Sequence, residues 1–336
     1  MAALVDRVDD FQQRHPVVGF PLGVTYKFFD DQGNYLAATV TYYAFIAIFP
    51  LLLLGSSILG FFLQNDPELA ANILDSALAN FPIVGDQLGR PGGLKGSVAG
   101  VVIGTLTALY GALGLGQALQ NAMNVAWAVP RNRRPNPIRL RLRSLLLLFT
   151  TGVAIVGITT LSLLGTDTEI FGTEGNTVMN WVVRVATVLV LGGVLTVIFR
   201  LATARRHHLV RAAPGAFATA VMWQALQYAG TLYVDHVIRE TNGMNSTFAL
   251  VLGLIGIIYL ATMMGVVGIE VNVVLARRLW PRSLASLFKD NTDLTPADER
   301  AYAGYAQSQQ HKTIGSIEVT FRDPETGEIR PPEDPP

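Results

Sequence analysis

The sequence contains no cysteine, which excludes disulfides, thiolate metal sites and a cysteine nucleophile. It is also poor in charge: Lys, Arg, Asp and Glu make up 15% of 336 residues, where a soluble globular chain carries about 25%. Half of the residues are apolar and the mean hydropathy is +0.38. Lipid is therefore the expected main solvent. Of five histidines only His207 and His208 lie close together, and adjacent helical residues do not converge on one metal. Gly-x-Ser-x-Gly, P-loop and His-Glu-x-x-His patterns are missing. No catalytic residue, metal or cofactor is expected, and the chain does not read as an enzyme. The first 31 residues carry Asp6, Asp9 and Asp10 and no apolar core with a small-residue cleavage site, so they do not read as a secretory signal.

What the sequence does have is long apolar runs. Crossing about 30 Å of hydrocarbon takes roughly 20 helical residues, and runs of that length lie at about Leu36–Leu63, Ser97–Val125, Ser144–Gly165, Val178–Phe199 (interrupted by Arg184), Ala213–Val234 and Thr247–Ile269. Within lipid every backbone polar group must be satisfied internally, so these runs predict helices. The expected fold is all-α: a polytopic membrane protein with a six-transmembrane-helix bundle over residues 32–280, an N-terminal segment 1–31 and a C-terminal tail 281–336. The connection between the second and third runs holds Arg131, Arg133, Arg134, Arg139, Arg141 and Arg143 and no acid. That between the fourth and fifth holds Arg200, Arg205, Arg206 and Arg211, again without an acid, whereas the third-to-fourth loop holds Asp167, Glu169 and Glu174 and no base. Basic short loops stay inside. Both termini are accordingly expected in the cytoplasm of a bacterial-type plasma membrane.

Two flanking segments do not span. Between Pro67 and Phe81, Leu69, Ile73, Leu74, Ala77, Leu78 and Phe81 fall on one helical face, which predicts an amphipathic helix on the outer surface. In the tail, Thr295-Pro296-Ala297-Asp298 reads as a helix start. One short helix is expected there in a mostly disordered, Pro-ended segment.

Gly92, Gly96, Gly100, Gly104, Ala108, Ala112 and Gly116 recur every fourth residue along the second helix. Small residues at that spacing let helix backbones approach closely in lipid. Because four residues exceed one turn, the stripe winds and can serve more than one neighbour. Pro50 interrupts the first helix and predicts a kink that frees the carbonyl of Ile46; Tyr42 and Tyr43 stand just before it. Arg184 lies inside a span, where a base usually faces the interior with a partner such as Asp235 or Glu240, or else snorkels to the headgroups. Glu270 and Asn272 close the sixth helix. Gln117, Gln120, Asn121 and Asn124 form an amide face whose plain reading is interhelical hydrogen bonding.

The stretch Ala37-Ala38-Thr39-Val40-Thr41-Tyr42-Tyr43-Ala44-Phe45-Ile46-Ala47-Ile48-Phe49-Pro50, the run Asn121 to Trp127, Pro214-Gly215-Ala216 with Trp223, and Gly268-Ile269-Glu270-Val271-Asn272 together resemble the YihY/virulence factor BrkB family of inner-membrane proteins. The resemblance covers about Phe28 to Arg278. It departs from the usual pattern at Ile46-Ala47-Ile48, where a Leu/Phe-Ser-Leu/Leu triplet is common. It implies six helices and cytoplasmic ends, and a role in transporting or handling envelope lipids or their precursors. A ribonuclease label once attached to such proteins finds no support in these residues, since a nuclease needs a metal-ligating cluster; no nucleic-acid partner is expected. Two readings follow. In the first, a transporter or flippase-like protein has a groove between the first, fifth and sixth helices, with Arg184, Tyr42, Tyr43, Asp235, Glu270 and Asn272 as candidate substrate-binding residues for a membrane lipid with an anionic head group. In the second, a non-transporting scaffold holds envelope partners or forms an oligomer. A hydrated cavity favours the first and a solid bundle the second.

Overall fold

The structure, a computed structural model, describes residues 9–62, 98–166, 177–204, 208–233, 245–284, 294–322 and 327–331. The expected amphipathic helix at 67–81, Gly92, Gly96, Asp235 and Glu240 lie outside these residues. Six long helices dominate: α2 (Gly33–Phe62), α3 (Val98–Ala126), α4 (Pro137–Thr166), α5 (Thr177–Ala202), α6 (Leu209–Tyr233) and α7 (Asn245–Arg277). They are preceded by α1 (Pro16–Asp30) and followed by α8 (Pro296–Ser308). The shortest of the six has 25 residues, about 37 Å at a 1.5 Å rise per residue. Each is long enough for a bilayer core. By hydropathy as well as length, Arg184–Ala202 and Val251–Arg277 qualify as membrane spans among the described residues.

The six helices close a ring in which each packs on its sequence neighbour and α7 returns to α2. Leu142, Leu145, Leu146 and Phe149 on α4, Trp181, Val182, Val185 and Leu189 on α5, and Leu252 and Leu260 on α7 all point outward and are exposed. An outer surface this apolar suits lipid and not water. Contacts inside the ring use small residues. A Cβ on Gly111 would lie 3.0 Å from the backbone of Ala47 on α2, and one on Gly116 would lie 2.6 Å from Ser144 Cβ on α4. Ala112 is buried; of the described stripe residues Gly116 meets α4, whereas the contacts to α2 come from Gly111 and Gly114, which lie outside the stripe. The side chains of Gly100, Gly104 and Ala108 are not among those described. Helix α2 continues through Pro50 to Phe62.

The main core sits at the end of the ring that carries the arginine-rich loops. It joins Met123, Trp127, Phe199, Ala216, Ile269, Val273 and Leu279 to Val24 of α1 and Ala301 of α8. Helices α1 and α8 therefore belong to the folded body. Helix α1 was not foreseen: Pro16 occupies its first turn, where a missing N–H costs nothing, and Phe20, Val24, Lys27 and Asp31 follow at helical spacing on its inner face. In the tail, α8 starts where Thr295-Pro296-Ala297-Asp298 predicts a helix. Thr295 and Asp298 form a capping box at the start of α8, and Ala297, Asp298, Glu299, Ala301 and Ala303 are buried. Burying that face supplies the stability that composition alone did not promise. Beyond it, Phe321–Arg322 pairs antiparallel with Ile329–Arg330.

Candidate functional site

A groove of about 530 Å³ opens between α2, α3 and α4 near the basic end. Helix α3 lines it with Tyr110, Gly114, Gln117, Asn121 and Asn124, spaced four and three apart so that all fall on one face. Helix α2 contributes Thr39 and Tyr43, the loop after α3 contributes Arg134, and α4 contributes Leu140 and Arg141. Gly114 makes room for this wall, because a Cβ there would collide with the ring of Tyr43. Tyr43 and Tyr110 stand with ring centroids 6.5 Å apart. The groove thus grades from aromatic and apolar to amide to guanidinium along its length.

Its electrostatics are one-sided. Arg131, Arg133, Arg134, Arg139, Arg141 and Arg143 have no ion-pair partner among the described residues. Arg134 is held by the Val129 carbonyl at 3.2 Å and reaches Asn121 Oδ1 at 3.5 Å. Burial, and secondarily the charge of Arg131, pull its pKa below the ordinary arginine value. A nearby anion would relieve that repulsion. Gln120 points away from the groove and binds the Leu140 carbonyl at 3.1 Å and Ser144 Oγ at 2.9 Å. Asn124 Oδ1 accepts from the Ala204 N–H at 3.2 Å. The amide face is therefore divided: part ties helices together, and Gln117 and Asn121 line the groove.

The residues singled out from sequence separate in space. Tyr43 lines the groove; Tyr42 is 58% exposed and sits edge-on to Tyr43 at 5.2 Å. Arg184 is exposed on α5 with its guanidinium 5.7 Å from the Trp181 ring, three residues earlier on the same face, and it takes no part in the groove. The groove itself lies among the first three long helices, not between the first and the last two. Asn272 is fully engaged: its Oδ1 accepts from the Gly215 N–H at 2.7 Å and its Nδ2 donates to the Ala212 carbonyl at 2.9 Å, clamping α6 to α7 on either side of Pro214. Sequence reading missed Arg134 and Arg141 as site residues because it used the loop arginines for orientation alone.

Glu270 belongs to a second constellation, a buried charge network on the basic end. Lys27, on α1 and 1% exposed, pairs with Asp31 and has its Nζ 3.7 Å from Glu270. It also lies 5.0 Å from the ring of Tyr305 on α8. Arg282, fully buried, pairs with Asp298 and lies 3.1 Å from Asp30. Burial pushes the Asp31 carboxyl above its usual range, with Lys27 opposing the rise. Burial, then the charges of Asp31 and Asp30, likewise raise the Tyr305 phenol. The signal for this network was present in α1, where Lys27 and Asp31 occupy the apolar stripe begun by Phe20 and Val24. Groups of three or more metal-ligating side chains do not occur among the described residues.

Comparison with known proteins decides the family, since the one described as Virulence factor BrkB matches residues 24–287. The chain belongs to the BrkB family. This BrkB family member is 35% identical over 68 residues to the inner membrane protein YhjD of Escherichia coli strain K12, covering 20% of each chain. It is 31% identical over 143 residues to a UPF0761 membrane protein of Alkalilimnicola ehrlichii, covering 40% of this chain and 31% of that one. The chain thus spans a third or less of the length of these curated relatives. No solved structure matches. Family membership and the two apolar helices make the BrkB chain a membrane protein.

Proposed function

We propose that this protein crosses the bacterial plasma membrane six times with both termini cytoplasmic, and that its groove takes the anionic head group of an amphipathic lipid or lipid precursor for transfer between leaflets. The observation that supports this reading is the groove's grading, with Arg134 and Arg141, which have no ion-pair partner among the described residues, towards one end and Tyr43 and Tyr110 towards the other. Guanidinium forks suit phosphate or carboxylate, and aromatic walls suit an acyl or prenyl chain. The lipid-facing exterior and the loop arginines support the orientation.

A cysteine introduced at Asn132 is expected to resist membrane-impermeant thiol reagents on intact cells, while one at Thr173 is labelled; the native chain has no cysteine to interfere. Labelling at Asn132 would overturn the topology. For the groove, Arg134→Gln with Arg141→Gln is expected to weaken binding of an anionic phospholipid by roughly ten- to a hundredfold, as loss of one or two charge-assisted contacts implies. A zwitterionic lipid should bind the variant and wild type alike. Native mass spectrometry of protein in defined lipid mixtures reads both. Equal anionic binding by the two proteins would remove the head-group site and leave the scaffold reading.

A further inference from the structure

The buried network contains two like units. Each sets one cation between two carboxylates: Arg282 between Asp298 and Asp30, and Lys27 between Asp31 and Glu270. They differ in solvation. Asp30 is partly exposed, accepts from the Tyr305 hydroxyl at 3.2 Å, and can shed its charge into water. Glu270 is 0% exposed, and neither of its carboxylate oxygens accepts a hydrogen bond. Asp31 is 6% exposed. One ammonium therefore faces two carboxylates buried from bulk solvent, which leaves one negative charge uncompensated within the unit. A buried charge in that condition is strongly disfavoured unless neutralised.

Among the described residues, helix α1 presents Lys27, Asp30 and Asp31 to this network, the segment after α7 presents Arg282, and α8 presents Asp298 and Tyr305. Arg277, two turns beyond Glu270 on α7, donates to the Trp127 carbonyl, and Arg282 already serves Asp298 and Asp30. Asp31 and Glu270 face the same Lys27 ammonium, and two ionised carboxylates have no proton to donate to each other. A bound proton meets every requirement at once: it supplies the missing charge, supplies the donor, and needs no space in a closed site. We propose that Asp31 and Glu270 form a proton-binding site that holds one proton between them at neutral pH, with Lys27 balancing the remaining charge.

The site is joined to the groove through α2. Asp31 is followed by Gln32, whose φ is 55°, and then by α2, which carries Thr39 and Tyr43 into the groove wall. Proton loss would favour movement of the Asp31 carboxylate toward water, and Asp31 leads directly into α2. The proton site stands independently of what the groove binds; if the groove transports, this proton is the coupling ion.

Infrared difference spectra of the full-length protein in nanodiscs, recorded while pH is stepped from neutral to alkaline, test the proposal without any lipid substrate. A carboxylic-acid C=O band is expected at neutral pH, shifted by carbon-13-labelled glutamate or aspartate, disappearing as pH rises, and missing in Glu270→Gln. Asp31→Asn is expected to abolish the band as well, because Lys27 then balances Glu270 alone, and serves if Glu270→Gln fails to fold. The folded pair binds a proton that the unfolded chain gives up at neutral pH, so wild-type thermal stability should fall as pH rises through the folded-state titration. Glu270→Gln should flatten that fall. Spectra showing both carboxyls ionised at neutral pH, or a band unchanged in both variants, would overturn the proposal.

Discussion

Replacing Arg282 with methionine is expected to destabilise the protein by about 3–5 kcal/mol, the usual consequence of stripping one partner from a buried ion pair. Arg282 is fully buried with Asp298, itself at 0% exposure. Its guanidinium also lies 5.4 Å from each of the rings of Tyr26 and Tyr302. Methionine fills much of the volume but leaves Asp298 facing those rings with an uncompensated charge. Burial and the charge of Asp298 already raise the Tyr26 phenol well above its usual value. Adding Asp298→Asn should recover a large part of the loss, because the amide oxygen still accepts from the Ser283 and Thr295 N–H groups that Asp298 now holds at 2.9 and 3.0 Å. Exposed Arg139→Met gives the scale of a surface change, within about 0.5 kcal/mol. Thermal melting in detergent reads all three variants. If Arg282→Met melts with wild type, α8 is not anchored through this pair.

Such pairs also show where sequence stops being informative. The six long helices were legible because each contains an apolar run of the length that a bilayer core would require. Their ends were less so: α4 begins at Pro137 and α7 continues to Arg277, past the apolar runs, because helix propagation does not require lipid and arginine stems can lie along apolar surface. Which face a residue presents is set by neighbours far away in the chain. Arg184 stacks on Trp181 on the outer face, an outcome that hydropathy at position 184 could not distinguish from an inward pair. Asn272 bonds residues 57 and 60 positions earlier, so its structural use was invisible beside its promising chemistry. Gln117 and Asn121 were visible as a polar face, but the groove before them is completed by Thr39 and Tyr43 of α2 and Leu140 and Arg141 of α4, distant in sequence. The charged stripe of α1 was legible in principle. It was passed over because it lies outside any apolar run.

Gly268→Leu should be among the most damaging single changes in the bundle, while Gly265→Leu, less than one turn away on α7, should be nearly neutral. A Cβ on Gly268 would collide with Thr219 Oγ1 and lie 2.6 Å from the Gly215 carbonyl oxygen, whereas one on Gly265 meets nothing within 4 Å. The carbonyl is backbone and cannot rotate aside. From the other direction, a Cβ on Gly215 would meet the Gly268 carbonyl and lie 2.8 Å from Asn272 Cγ and Nδ2, so α6 and α7 touch backbone to backbone at this level. Separating them also breaks the Asn272 clamp and strands the Gly215 N–H and Ala212 carbonyl away from water. Overpacking typically costs about 1–3 kcal/mol, and each stranded polar group roughly another 1–3 kcal/mol. Gly268→Leu should therefore lose several kcal/mol, and Gly268→Ala a smaller part of it. Asn272→Leu keeps the helices close yet orphans the same two groups, so it separates the hydrogen-bond contribution from the steric one. Similar melting temperatures for the leucine variants at 265 and 268 would mean that α6 and α7 do not meet through these glycines.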